Sequence, residues 1–161
     1  MRVVPGGGVA GRGRMINEDV PLLTHERKRV RLREASGERG LIAVSVGRAG
    51  GRGFQMLHRF AAVSEQLDAA GVNLVFVYPA ESARHVQDAL SVLAARYRGK
   101  PCLLLDETGL FFGAAPPLQQ LGVMRFDSQM NCIDRASVSV REAGWETLLS
   151  EFLVGALADA A

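Results

Sequence analysis

Reactive chemistry has few places to sit in this chain, whose 161 residues include only two cysteines and three histidines. Cys102 begins the apolar run CLLL and reads as a small buried hydrophobe, inert by position. Cys132 follows Asn131 in a stretch that reads as a loop, which makes it the more accessible thiol. Thiol reactivity depends on a neighbouring cation that favours the thiolate. Arg135, three residues after Cys132, is placed to be that cation, so Cys132 and Arg135 are the candidate redox pair. A disulfide between Cys102 and Cys132 is not expected. A second candidate is the glycine turn Gly47-x-x-Gly50-x-x-Gly53, in which Arg48, Gly51 and Arg52 also stand. Glycines between a strand and a helix leave backbone N–H groups open at a helix N-terminus, where a carboxylate or phosphate is favoured. A nucleotide phosphate loop is an alternative use of the same turn. However, neither the G-x-G-x-x-G nor the G-x-x-x-x-G-K-[ST] spacing is present, and Tyr78-Pro79 stands where a ribose-binding acid is expected.

Other polar residues point to no chemistry of their own. His58 and His85 fall within helical patterns, and His25 precedes a basic stretch with no evident metal partner. The sequence has no H-x-x-x-H, CxxC or clustered carboxylates, so neither a metal nor another cofactor is expected. Asp106 and Glu107 read as a turn in DETG, and Ser45 and Ser137 lack the G-x-S-x-G elbow of a hydrolase.

The elements that must carry these residues alternate. RKRVRLR, from Arg27 to Arg33, places Val30 and Leu32 on one face of a strand and cations on the other. That pattern suits an edge strand protected by charge, or a surface for an anionic partner. LIAVSV, from Leu41 to Val46, is apolar enough for burial on both faces and belongs at the centre of the sheet. A helix is expected from about Phe54 to Ala69, with Met56, Phe60, Val63 and Leu67 on its buried face and Gly71 ending it. Val72 to Tyr78 is the next buried strand, Glu81 to about Tyr97 a second helix, and Cys102 to Leu105 a third strand. A short, proline-interrupted helical segment is expected over Leu110 to Leu121, then extended pieces at Met124 to Phe126 and Ala136 to Val140. The last helix runs from Gly144 to about Leu157, with Trp145, Leu148, Leu149, Phe152 and Leu153 inward. Strands and helices in alternation imply right-handed crossovers and a parallel sheet core, hence an α/β fold.

Composition limits the function further. Hydrophobic residues make up 48% and charged residues 22%, which fits one globular domain. A net charge of +2 is too small for nucleic-acid binding by charge alone. No apolar run reaches the roughly 20 residues that span a bilayer, so no membrane partner is expected. The glycine-rich stretch MRVVPGGGVAGRGRM has no continuous apolar core of a signal peptide. Residues 1–17 are therefore read as a flexible arm, residues 18–161 as the domain, and a cytoplasmic location with reduced thiols follows by default. Met15 is an alternative start.

In order and spacing, the pieces resemble the peroxiredoxin branch of the thioredoxin-like superfamily, the alkyl hydroperoxide reductase/thiol-specific antioxidant type. The resemblance covers roughly Val20 to Leu153. It rests on Val20-Pro21, LIAVSVG before the turn, AAGVNLVFVYP, KPCLLLDETG, and LGV at Leu121 to Val123. It implies a thioredoxin-like α/β fold, a central mixed sheet flanked by helices, and antioxidant redox activity. It also implies where the catalytic residues belong. The first cysteine falls near Gly50 and the second of a CxxC near Gly53; the hydroxyl residue three positions before the first falls on Gly47, and the proline seven before it on Ala43. The family's activating arginine corresponds to Arg135 in RASVSV.

Glycine supplies no sulfur, so the expectation is a degenerate member without conventional thiol peroxidase activity, acting as a binding or accessory module. The expected partner is an unidentified protein or a small anionic ligand at Gly47 to Phe54, and the resemblance raises the prospect of a homodimer. The alternatives are a redox enzyme working through Cys132, and nucleotide or anion binding at Gly47 to Gly53.

Overall fold

The computed structural model describes residues 2–3, 19–24, 27–47, 59–82, 102–112 and 119–160. In chain order the elements are β1 (Arg2–Val3), β2 (Leu22–Thr24), β3 (Arg29–Val30), a 3-10 turn (Leu32–Ala35), β4 (Gly40–Val46), α1 (Ala61–Ala69) and β5 (Val72–Pro79). They continue with a 3-10 turn (Ala80–Ser82), β6 (Leu103–Asp106), β7 (Gln120–Phe126), β8 (Cys132–Ser139) and α2 (Trp145–Ala160).

Among the described residues eight strands form one sheet in the order β1-β8-β7-β4-β5-β6-β2-β3. β4, β5 and β6 pair parallel, as the crossover pattern requires, and β7, β8 and β2 join antiparallel. The sheet is therefore mixed. β4 lies in its middle with every residue buried, as its unbroken apolar run demands.

Alternate residues of β4 feed two cores. Ile42, Val44 and Val46 face a layer built with Leu67 of α1 and Trp145, Leu149, Phe152 and Leu153 of α2. Leu41 and Ala43 face the opposite layer with Leu22, Leu32, Val75, Val77, Leu104, Phe111 and Phe126. An ion pair between Arg125 of β7 and Asp159 (2.7 Å) ties the end of α2 to the sheet, and another joins Arg59 to Glu146.

Backbone geometry explains where β4 begins and α1 ends. A Cβ on Gly40 would lie 2.2 Å from the carbonyl oxygen of Phe126, and its φ of +135° suits only glycine. Gly71 takes φ +88° directly after α1, the left-handed exit expected there.

Several boundaries differ from the sequence reading. The basic stretch is a strand only at Arg29–Val30, because the chain turns into a 3-10 helix that buries Leu32 and Ala35. It is nonetheless at the sheet edge. β7 and β8 are longer than expected and form a hairpin, so Leu121 belongs to a strand and not to a helix, and Cys132 opens a strand instead of lying in a loop. Arg2–Val3, read as part of a flexible arm, pair with β8 at Ser137 and Ala136. Most of the arm, most of the 81–97 helix and the segment 113–118 lie outside the described residues.

Candidate functional site

Parallel pairing brings the C-terminal ends of β4, β5 and β6 to one end of the sheet, at Val46, Pro79 and Asp106. In open α/β sheets this is the end where ligands bind. Gly47 follows β4 there and is buried. Arg48, Gly50, Gly51, Arg52 and Gly53, the rest of the proposed binding turn, lie outside the described residues, as do His25, His58 and His85.

The described neighbours of this end are structural in their chemistry. Asp106 is buried at 1% exposure, and its carboxylate accepts the N–H groups of Phe111 and Phe112, each at 3.1 Å. It caps the turn after β6, as the DETG pattern implies, and both oxygens are engaged. Glu107 instead reaches across to Arg29. Two residues before Gly47, the buried Ser45 hydroxyl has no hydrogen-bond partner, and it stands beside Gly122 of β7, whose missing side chain leaves ordinary contact distance.

Cys132 and Arg135 do meet. Residues three apart on a regular strand point to opposite faces, but β8 is irregular. Phe126 pairs with Cys132 while Arg125 pairs with Asp134, so Ile133 is an extra residue opposite the bend in β7. This bulge returns Cys132 to the face carrying Arg135, and Arg135 Nη2 donates to Cys132 Sγ at 3.6 Å. The thiol in turn donates to the Asp134 carbonyl at 3.5 Å. Cys132 is exposed.

The pair is at the wrong end for the turn. Cys132 pairs with Phe126, which pairs with Leu41 near the start of β4, whereas Gly47 follows its last residue. Six residues of strand separate those levels, about 20 Å at the rise of an extended chain. Arg135, level with Met124 and Ala43, is also well back from Gly47.

Cys102 is buried and reduced, just before β6. Burial pushes its thiol from the ordinary 9.0 up to about 12, and burial with the nearby Cys102 also raises the Tyr78 hydroxyl. This agrees with the reading of Cys102 as an inert small hydrophobe.

Sequence reasoning missed two features. The first is the bulge at Ile133, for which the sequence carries no signal; its side chain is 52% exposed. The second is a groove between α1 and α2, lined by Ala62, Val63, Gln66, Ser150, Val154 and Gly155. Gly155 in mid-helix was its signal, since a Cβ there would meet nothing. Among the described residues, no group of three or more His, Cys, Asp or Glu is placed to hold a metal ion, and no helix is long and apolar enough to cross a membrane.

No protein-family model matches the chain, and no curated protein matches it in sequence. Solved structures do match in shape. Peroxidoxin BcpB from Mycobacterium tuberculosis superposes with a TM-score of 0.59 at 14% identity, covering 84% of this chain and 89% of its own. Peroxiredoxin Q from Xanthomonas campestris gives 0.59 at 16%, covering 89% and 94%. A thiol:disulfide interchange protein DsbE from Chlorobium tepidum gives 0.54 at 17%, covering 88% and 95%. These likenesses establish the α/β thioredoxin-like fold, with peroxiredoxins among the structures it resembles.

Proposed function

We propose that this chain is a thioredoxin-fold binding or accessory module that has kept the peroxiredoxin scaffold without its thiol peroxidase chemistry. One observation carries the reading: neither cysteine thiol in the chain stands at the end of β4. Gly50 and Gly53 occupy the positions that the family resemblance assigns to cysteines. Cys102 is buried with its thiol pushed up to about 12, and Cys132 lies at the level of Leu41, at the other end of β4. Peroxide reduction needs a thiolate at a helix N-terminus with a cation beside it, and that arrangement has no sulfur here.

In place of a thiolate, Gly47, Arg48, Gly50, Gly51, Arg52 and Gly53 supply cations and side-chain-free backbone. The ligand class that fits them is an anion, either a small carboxylate or phosphate or the acidic part of a partner protein. A nucleotide is the less favoured form of the same reading, for want of a dinucleotide or P-loop spacing.

A second reading has its own observation. The guanidinium of Arg135 lies 3.6 Å from the exposed Cys132 sulfur, which puts a hydrogen-bond donor beside an accessible thiol. In that reading Cys132 attacks a hydroperoxide oxygen, the O–O bond breaks to give sulfenic acid and an alcohol, and an external dithiol returns the sulfenic acid to thiol with release of water.

Hydroperoxide consumption with dithiothreitol as reductant separates the two, using the unaltered protein and the Cys132→Ser and Cys102→Ser variants. The binding-module reading expects consumption no faster than the reductant alone in every form. Turnover well above that background, abolished by Cys132→Ser, overturns it in favour of the second.

A further inference from the structure

Among the described residues the sheet ends at β3, whose outer side has no neighbouring strand. Around that edge the chain concentrates its positive charge: Arg27 to Arg33 contains five Arg or Lys and no acid, in a protein whose net charge is +2, so everything outside these seven residues is net −3. All five side chains are exposed. Val30 and Leu32 point the other way and pack on the core.

The protein's own acids show what this ridge accepts. Glu107 Oε1 pairs with Arg29 at 3.0 Å, and Asp19 pairs with Arg33 while its backbone carbonyl accepts from Arg31 Nε at 3.0 Å. Both acids engage the arginines at exposed positions. Arg27 and Lys28, at the hairpin end of the same ridge, have no acidic partner among the described residues. Arg27 moreover sits at φ +64°, in the left-handed region where glycine or asparagine is favoured. A stability-driven choice would place one of those here. Strain of this kind at a surface residue is a pointer to use by a partner.

We propose that the cationic edge from Arg27 to Arg31 docks an extended acidic segment of a partner protein. Arg29 and Arg31 flank Val30 in extended backbone, so their side chains share the outward face at the two-residue period of a strand. A partner strand with carboxylates at alternate positions matches that period, and the unpaired edge of β3 offers its backbone groups for pairing. Nucleic acid matches less well, because phosphate recognition on charge alone calls for a broad positive field and the rest of this chain is net negative.

The experiment is fluorescence anisotropy at near-physiological salt, where the Debye length is about 8 Å. The probes are a labelled peptide of alternating glutamate and threonine, its lysine counterpart, and a single-stranded oligonucleotide of equal negative charge. The proteins are the unaltered chain, Arg27→Gly and Lys28→Gln. The expected result is binding of the acidic peptide, no binding of the basic one, and at least about tenfold weaker binding in each variant, which on charged-contact energetics is a modest loss. Arg27→Gly relieves the left-handed strain, so its thermal midpoint is expected to stay level or rise, which rules out misfolding as the cause. No binding of the acidic peptide, equal binding in all three proteins, or tighter binding of the oligonucleotide overturns the proposal. The peroxide assay bears on none of these outcomes, so this inference and the proposed function stand or fall separately.

Discussion

With its thiol pushed up to about 12 by burial, Cys102 stays protonated and out of reach in the folded chain, whereas Cys132 lies open on the surface. Ellman's reagent is therefore expected to modify one thiol per native chain, lost in Cys132→Ser, and two after denaturation. A second fast-reacting thiol in the native protein would mean that Cys102 is not buried. The same shift sets an alkaline limit. Below pH 9.0 Cys102 is protonated whether folded or not and its contribution to stability is intact; as pH rises from 9.0 to about 12 only the unfolded chain ionises, and that contribution is lost. The raised Tyr78 hydroxyl acts in the same direction. Urea midpoints are expected to fall over that interval, less steeply in Cys102→Ala. Asp127 works at the acid end. Its carboxylate accepts from the N–H groups of Gln129 and Asn131, both at 2.9 Å, and these bonds hold its pKa below the ordinary 3.8. Stability from Asp127 is present above 3.8 and is lost as pH falls through the depressed value. Protection of the Asn131 and Gln129 amides, their exchange rates corrected for the intrinsic pH dependence, should fall in acid, and in Asp127→Ala at neutral pH; unchanged protection in that variant would show the loop is held by its backbone alone. Ser45→Ala removes a buried hydroxyl that has no partner. It is expected to be neutral or to stabilise by up to about 1 kcal/mol, and a loss greater than that in urea melts would reveal a hydrogen bond made in solution.

Two glycines place opposite demands on the elements that hold them. Gly40 lets β4 start hard against β7, with Phe126 O 2.2 Å from where a Cβ would lie and φ at +135°. Gly40→Ala should cost at least about 2 kcal/mol, since both the backbone and the contact oppose it. Gly155 sits within α2 facing open space, so Gly155→Ala should stabilise by about 1 kcal/mol through helix propensity. Chemical denaturation measures both, and the reverse order of stability would contradict the described packing. At this scale the sequence was readable wherever a period was long. The unbroken apolar run of β4, the left-handed stop at Gly71 and the stripe of α2 at Trp145, Leu149, Phe152 and Leu153 appear as expected, while Leu148, also read as inward, is only half-buried. β7 was hidden because Gly122 and Arg125 interrupt its alternation. The basic strand was overextended because Leu32, apolar at the right parity, is buried by a 3-10 turn and not by the sheet. The meeting of Cys132 with Arg135 depended on the bulge, which no two-residue period could indicate.

As a whole molecule the chain has a thioredoxin-like frame, matched over 84% to 89% of its length by peroxiredoxin structures. The frame was legible in the sequence, because the fold depends on the order of apolar strands; Gly50 and Gly53, where the family resemblance points for cysteines, lie outside the described residues. The distance between the exposed Cys132 thiol and Gly47 was not legible, since it follows from the register of β8 on β7 on β4. A single-turnover experiment tests the central claim most directly: the fully reduced protein is mixed with one equivalent of hydroperoxide, and free thiols are counted over time. Thiol loss at the pace of an unactivated cysteine is the predicted result; rapid loss of one thiol per chain, with sulfenic acid at Cys132 or Cys102, would contradict it.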